Sequence, residues 1–206
     1  MDTPSSPSRA HVEPLALDAM DEVEDVINLS RQASGYVPTS MRIMAHKPDI
    51  LRAFSALIGT IMRKPSDLAQ EMKWLMAHSV SAAAGCQYCQ AHTAANGAKA
   101  GLEVQKVAQL LTYETNPVFS DPERAVIDFG LAAGQVPNAV TRAHFDALRE
   151  SFTEPQIVEL VAVISLFGWL NRWNDTFASD LEDAPLAFAK EHLSDRGWTP
   201  GKHAPE

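Results

Sequence analysis

Cysteine is nearly absent: the 206-residue chain has two, Cys86 and Cys89. A structural zinc wants four ligands. The row Cys86, Cys89, His92 supplies three at most, and only His78 stands by to complete a set, so no metal is assigned. Glycine is sparse, at ten residues. Alternating apolar and polar runs bounded by turn signals are missing, which argues against strands. No run of Lys and Arg forms a basic stripe, and the formal net charge is −9. Such a chain repels polyanions, so no nucleic acid partner is expected. The longest apolar run, Ile157 to Leu170, is interrupted by Glu159 and falls short of the roughly 20 residues of a membrane span. The polar stretch from Met1 to Ala10 lacks the apolar centre of a signal peptide. The expectation is a cytoplasmic protein without membrane contact, where two thiols stay free to cycle because structural disulfides do not persist.

Hydrophobic residues make up 46% and charged residues 21%, an ordinary globular composition. The periodicity is helical nearly throughout, so the fold class expected is all-α. Pro48-Asp49 opens a segment with Ile50, Leu51, Phe54, Leu57, Ile58 and Ile61 at helical spacing. Ser66-Asp67 is read as the cap of a helix carrying Leu68, Met72, Leu75, Met76 and Val80, which Gly85 breaks just before Cys86. A third helix starts at Cys86 and ends near Gly97 or Gly101, and a short fourth covers Glu103 to Leu111. Asp121-Pro122-Glu123 combines a capping acid, a proline in the first turn and an acid at the positive end of the dipole. Thr153-Glu-Pro-Gln156 is a capping box. The helix it opens is apolar on nearly all sides, which places it in the centre of the protein or at a subunit interface. Aligning Gly85 with Gly168 gives a weak internal echo, suggesting two similar helical halves with only the first carrying the cysteines. The domains expected are a flexible tail over 1–16, a helical domain over 17–183, and a short helix with a polar tail over 184–206.

The chemistry is concentrated in Cys86-Gln-Tyr-Cys89-Gln-Ala-His92. Residues three apart share a helix face, so the two sulfurs and the imidazole form one row in which His92 reaches toward Cys89. Cys86 sits at a helix N-terminus, where the dipole favours a thiolate. A thiolate made this way attacks the O–O bond of a hydroperoxide. The sulfenic acid condenses with its neighbour to a disulfide, and a dithiol reopens it by exchange. Two inert buried cysteines are the bland alternative. A thioredoxin-like site needs a preceding strand that is not visible here.

Gly85-Cys86-Gln-Tyr-Cys89-Gln-Ala-His92-Thr93, following an amphipathic helix, resembles the AhpD-like alkylhydroperoxidase branch of the carboxymuconolactone decarboxylase family. Glu123 through Phe129 and on to Asn171-Arg172 resembles the C-terminal half of those proteins, so the likeness spans roughly Tyr36 to Asp183. It implies an all-helical fold, assembly into trimers or hexamers, and reduction of organic hydroperoxides with electrons from a dithiol or lipoyl-bearing protein. It also implies that Cys89 is the peroxidatic sulfur, Cys86 the resolving one and His92 part of the proton relay. No cofactor is implied. The chain departs from the family in three places. The relay carboxylate expected about twelve residues before the first cysteine is Trp74, with Glu71 the nearest acid. Tyr88 stands between the cysteines where the best-known member of the family has a histidine. His92 follows Cys89 by three residues instead of four. Glu71, His78 and Tyr88 are therefore candidate members of a replacement relay. In the later helix, Arg172 with Asp175 reads as a structural pair, or, with Asn171 and Asn174, as a wall of the site. Two other functions compete: decarboxylation of a lactone acid, which needs no thiol pair, and an oligomeric redox sensor without turnover.

Overall fold

The computed structural model describes residues 8–205, which hold ten α-helices and no strand. These are α1 (Glu24–Ser34), α2 (Thr39–Met44), α3 (Pro48–Ile58), α4 (Gln70–Ala83), α5 (Gln87–Lys99), α6 (Val104–Ala108), α7 (Asp121–Ala133), α8 (Arg142–Arg149), α9 (Glu154–Phe177) and α10 (Asp183–His192). Among the described residues no helix is long and apolar enough to cross a membrane.

Local sequence explains most helix starts. Pro48 opens α3, which ends in a π-helical turn at Gly59–Arg63. The acid cluster at 121–123 starts α7, but the cap is Ser120: its N–H and hydroxyl both donate to the Glu123 carboxylate, at 2.8 and 2.9 Å. Thr153 and Gln156 form the expected box, the Thr153 N–H lying 2.9 Å from Oε1 of Gln156. At Ser66 the expectation fails, because its hydroxyl closes a local turn on the Leu68 N–H (3.3 Å) and α4 begins only at Gln70. Such side-chain turns compete with helix initiation. Helix α8 carries no Glu or Gln at its third position; the Thr141 N–H donates to Nδ1 of His144 instead (3.0 Å).

Helix α4 is the central element, packed against α5, α7 and α9, and buries Leu75, Met76, Ala77 and Val80. Helix α9 buries Leu160, Val163, Leu166 and Phe167 in the core and turns Val158, Val161 and Trp169 to solvent. Gly168 lies inside the unbroken α9, so the break at Gly85 has no counterpart there and the internal echo does not extend to the helix boundaries. Between these helices Lys73 is fully buried, its Nζ 2.5 Å from Oε1 of Glu159 and 2.9 Å from the Ile61 carbonyl it donates to. The acid that interrupts the apolar run of α9 is thus the counter-ion of a lysine in α4.

Helices α4 and α7 approach so closely that a Cβ on Gly134 would lie 2.6 Å from Cβ of Ala83 and 2.8 Å from the Val80 carbonyl oxygen. Backbone cannot retreat as a side chain can, so Gly134→Ala is expected to cost about 1–3 kcal/mol, in the range of overpacked cores. Urea denaturation checks this; a change below about 0.5 kcal/mol, typical of neutral surface positions, would contradict it.

Both chain ends depart from the tails expected of them. Residues 1–7 lie outside the described residues, but 8–16 are fastened down: the His11 N–H donates to the Phe177 carbonyl (2.8 Å), and the Ser8 hydroxyl to Asp180 (2.5 Å). At the other end Trp198 is 6% exposed and His203 fully buried. The indole N–H donates to the Gln87 carbonyl at the first turn of α5 (3.3 Å). The segment after α10 is part of the core, and one of its side chains reaches the cysteines.

Candidate active site

Gly85, at φ +72, reverses the chain between α4 and α5, a conformation glycine adopts at little cost. The turn makes Cys86 the N-cap of α5, and its Sγ accepts the Cys89 N–H at 3.4 Å. Both cysteines are free and buried. They face different surroundings. Cys89 lines a cavity of about 330 Å³ whose walls include Met41, Phe54, Met62, Trp74 and Phe167. The Asn174 amide of α9 donates toward Cys89 Sγ at 3.5 Å. Cys86 does not line that cavity and points toward Asp175 and His203. The sulfur, a ring nitrogen of His203 and a carboxylate oxygen of Asp175 lie within 4.8 Å of one another.

The two thiols are polarised in opposite directions. The Cys86 thiol is brought down to about 6. The largest cause is the hydrogen bond from the Cys89 S–H; burial opposes it, and the hydrogen bonds from His203 and the Cys89 N–H reinforce it. Cys89 is pushed well up, by burial first, then by the hydrogen bond it gives Cys86 and by the Cys86 charge, with the Asn174 hydrogen bond working against them. The pair therefore shares one proton, held on Cys89, and one negative charge, held on Cys86. Three donors are one short of a structural zinc site, and the imidazole nitrogens are engaged as described below, so the cluster is not assigned to a metal.

His92 lines the cavity one turn beyond Cys89. Its Nε2 lies 2.7 Å from Oε2 of Glu182, and its Nδ1 3.2 Å from the Tyr36 hydroxyl. Both nitrogens are thus spent on oxygen partners. Glu182 also accepts from the Tyr88 hydroxyl (2.9 Å) and the Thr39 N–H (2.5 Å). Burial alone would push the Glu182 carboxyl up, but the His92 charge and the hydrogen bonds from His92 and Thr39 outweigh it and hold the carboxyl below its usual value. Tyr88 stacks on His92 with centroids 4.3 Å apart. Its hydroxyl is pushed well above the ordinary range by burial and the Glu182 charge, which keeps it a donor. The carboxylate that meets His92 is thus not near position 74 but Glu182, from the loop before α10.

The other expected relay members go elsewhere. Glu71 is exposed and its side chain lies against Gly101. His78 is buried with its Nδ1 2.8 Å from the Thr93 hydroxyl. Burial pushes its pKa down to about 4, which leaves a neutral ring bracing α4 on α5. Tyr88 does join the His92–Glu182 network. Trp74 forms cavity wall, edge-on to Phe167. The pairing of Arg172 with Asp175 is not formed: Arg172 donates back to the Gly168 carbonyl (2.9 Å), while Asp175 meets His203 at 3.1 Å and Lys202 at 3.3 Å. Asn174 and Asp175 instead close the site from the second half of the chain. Glu182 and His203 escaped the sequence reading because neither belongs to a local motif. The one signal was Trp198, a large aromatic in an otherwise polar tail, which usually needs a place to be buried.

The model of the carboxymuconolactone decarboxylase family matches residues 48–132. The debrominase Bmp8 is 30% identical over 86% of this chain and 95% of its own, with a TM-score of 0.77. The chain belongs to the carboxymuconolactone decarboxylase family. A cysteine-to-alanine variant of the same debrominase in complex with 2,3,4-tribromopyrrole superposes with a TM-score of 0.78. The uncharacterized family relative YnjA of Escherichia coli K12 is 27% identical over 146 residues, 71% of this chain and 80% of its own. An AhpD-core, peroxidase-related protein of Ralstonia eutropha JMP134, 24% identical, shares the fold over 98% of this chain and 99% of its own, with a TM-score of 0.75. The all-helical AhpD-like fold is one that enzymes use, and the matched span includes α4, the turn at Gly85 and α5.

Proposed function

We propose that this protein is a thiol-dependent reductase that consumes hydroperoxides of apolar organic molecules through a reversible Cys86–Cys89 disulfide. The observation that carries the reading is the asymmetry of the pair: Cys89 faces an aromatic and aliphatic cavity, while Cys86 is sealed behind it and carries the charge. Cys89 passes its proton to Cys86 along the hydrogen bond the two sulfurs share, and its thiolate attacks the terminal oxygen of the hydroperoxide, breaking the O–O bond. The alcohol leaves with the proton Cys89 gave up, and Cys89 becomes a sulfenic acid. The Cys86 thiolate then attacks that sulfur, the S–S bond forms, and hydroxide leaves to become water. Two electrons pass from the thiols to the peroxide, and a dithiol or lipoyl-type donor returns them. His92 and Tyr88, held by Glu182 behind them, serve as the polar end of the cavity, positioning the hydroperoxide.

A second reading is favoured by the likeness to a debrominase and by the aromatic lining. In it Cys89 attacks a ring-bound bromine, the carbon takes a proton, and Cys86 displaces bromide to give the same disulfide. A decarboxylase would leave the thiol pair idle. Assays of hydroperoxide loss and of bromide release, with dihydrolipoamide as donor, separate these readings. The first predicts peroxide loss that depends on the donor; bromide release alone would favour the second, and neither would reject both. The reading includes a homo-oligomer built on the outward face of α9, where Val158, Val161 and Trp169 are exposed. A monomer in light scattering at micromolar concentration would contradict that part.

A further inference from the structure

We propose that His203 is the proton partner of Cys86: the C-terminal segment carries an imidazole to the sealed side of the cysteine pair, Asp175 orients it, and together they keep Cys86 as the thiolate. The consequence for turnover rests on the dithiol reading above; the protonation states themselves do not.

The hydrogen-bond geometry sets the charge of the ring. Nδ1 of His203 lies 2.8 Å from the Ser179 carbonyl oxygen, which can only accept, so Nδ1 carries a hydrogen. Nε2 lies 3.1 Å from Oδ1 of Asp175, an acceptor when ionised, so Nε2 carries one too. A ring with acceptors on both nitrogens is an imidazolium. This cation is fully buried, and so is the Cys86 sulfur beside it. Asp175 is shared between this cation and the Lys202 ammonium, so the two positive charges call for a second anion, and a thiolate at Cys86, within 4.8 Å of the ring nitrogen, supplies it. The charged and titratable groups around the sulfur are Cys89, His203 and Asp175. Asp175 also faces Lys202, whose Nζ is 3.3 Å from Oδ1. The Tyr88 ring lies 5.8 Å from that of His203 and stays neutral. His203 is driven above the ordinary histidine value: burial works against this, and the hydrogen bonds to Cys86, Ser179 and Asp175 overcome it.

The position is built, because the segment carrying His203 is tied at two points. The Leu181 N–H donates to the His203 carbonyl (2.9 Å), and the buried Trp198 indole donates to Gln87, next to Cys86 in sequence. His203 therefore touches a reacting atom, while Asp175 acts through it as a positioning residue. In the reduced protein His203 holds the proton that Cys86 gave up. When Cys86 attacks the Cys89 sulfenic acid, the S–S bond forms and the S–O bond breaks. The negative charge leaves Cys86 with the hydroxide, and the His203 proton, no longer balanced, is released and completes the water. When the dithiol donor's thiolate attacks Cys89 of the disulfide, Cys86 departs as the sulfur of lower pKa and therefore the faster leaving group, and His203 takes up a proton again as the thiolate reforms.

The test is histidine NMR on the intact protein in EDTA-containing buffer, reduced and then oxidised to the disulfide. The His203 ring is expected to be doubly protonated at neutral pH in the reduced form and to lose a proton on oxidation. A ring that is neutral in the reduced form, or unchanged by oxidation, overturns the proposal. The second measurement is ultraviolet titration of the single thiol in Cys89→Ser, with and without His203→Gln. Removing the imidazole is expected to raise the Cys86 midpoint by at least about one unit, tenfold less thiolate at a given pH, and Asp175→Asn is expected to lower the pH at which the His203 ring gives up its proton. An unshifted midpoint also overturns it. Should hydroperoxide not be consumed while these protonation states are found, the function assigned above fails and this assignment stands.

Discussion

Cys89→Ser is expected to reduce hydroperoxide turnover to the uncatalysed background. Removing a nucleophile that forms the covalent intermediate typically costs several orders of magnitude, on the order of 10⁶ in the best-studied hydrolase series. Cys86→Ser should behave differently. Its Cys89 still meets the substrate in the cavity, so about one equivalent of peroxide is consumed in a burst that leaves a trappable sulfenic acid and no disulfide. Stopped-flow peroxide loss with sulfenic-acid trapping measures both. Equal bursts from the two variants would contradict the division of labour. The pH dependence has a definite sign. Cys86 is held down to about 6, so in wild type the rate of disulfide closure should rise as pH passes upward through that value, as the thiolate fills, and level off above it. A closure rate that falls over that interval would place the essential charge elsewhere.

Glu159→Leu is expected to destabilise the fold by about 3–5 kcal/mol, because it strands the Lys73 ammonium in the core with only the Ile61 carbonyl as partner. The double variant Lys73→Met with Glu159→Leu should recover most of that loss, since replacing both members of a buried pair by apolar groups is often neutral or stabilising. Chemical denaturation of wild type, both single variants and the double variant forms the cycle. If Glu159→Leu alone stays within about 1 kcal/mol of wild type, the pair behaves as a surface bridge and its burial is irrelevant.

Legibility of the sequence tracked the locality of each signal. Cys86 at a helix start, the box at Thr153 and the proline of α3 were visible because each depends on residues within one turn. Even there the register slipped where a neighbour offered a rival bond, as at Ser66. The apolar character of α9 was plain, but which stripe would face the core was not, since Val158 and Val163 read alike until α4 chooses between them. The Cys pair and His92 were found as a set and do lie on one helix. Their partners were not: Glu182 reaches His92 across 90 positions of sequence, and His203 arrives from a segment that composition marked as a tail. A spacing rule looks for a carboxylate on the preceding helix; here that place is taken by Trp74, and the acid enters from a loop the rule never searches. The same geometry places an imidazole, His203, beside Cys86, while the nitrogens of His92 face Glu182 and Tyr36.

The measurement that most directly tests the central claim is thiol trapping with intact-mass analysis after brief exposure to a stoichiometric organic hydroperoxide. The account predicts loss of two hydrogens, no alkylation at Cys86 or Cys89, and return of both thiols on adding a dithiol. Two thiols that remain free and alkylatable throughout would contradict it.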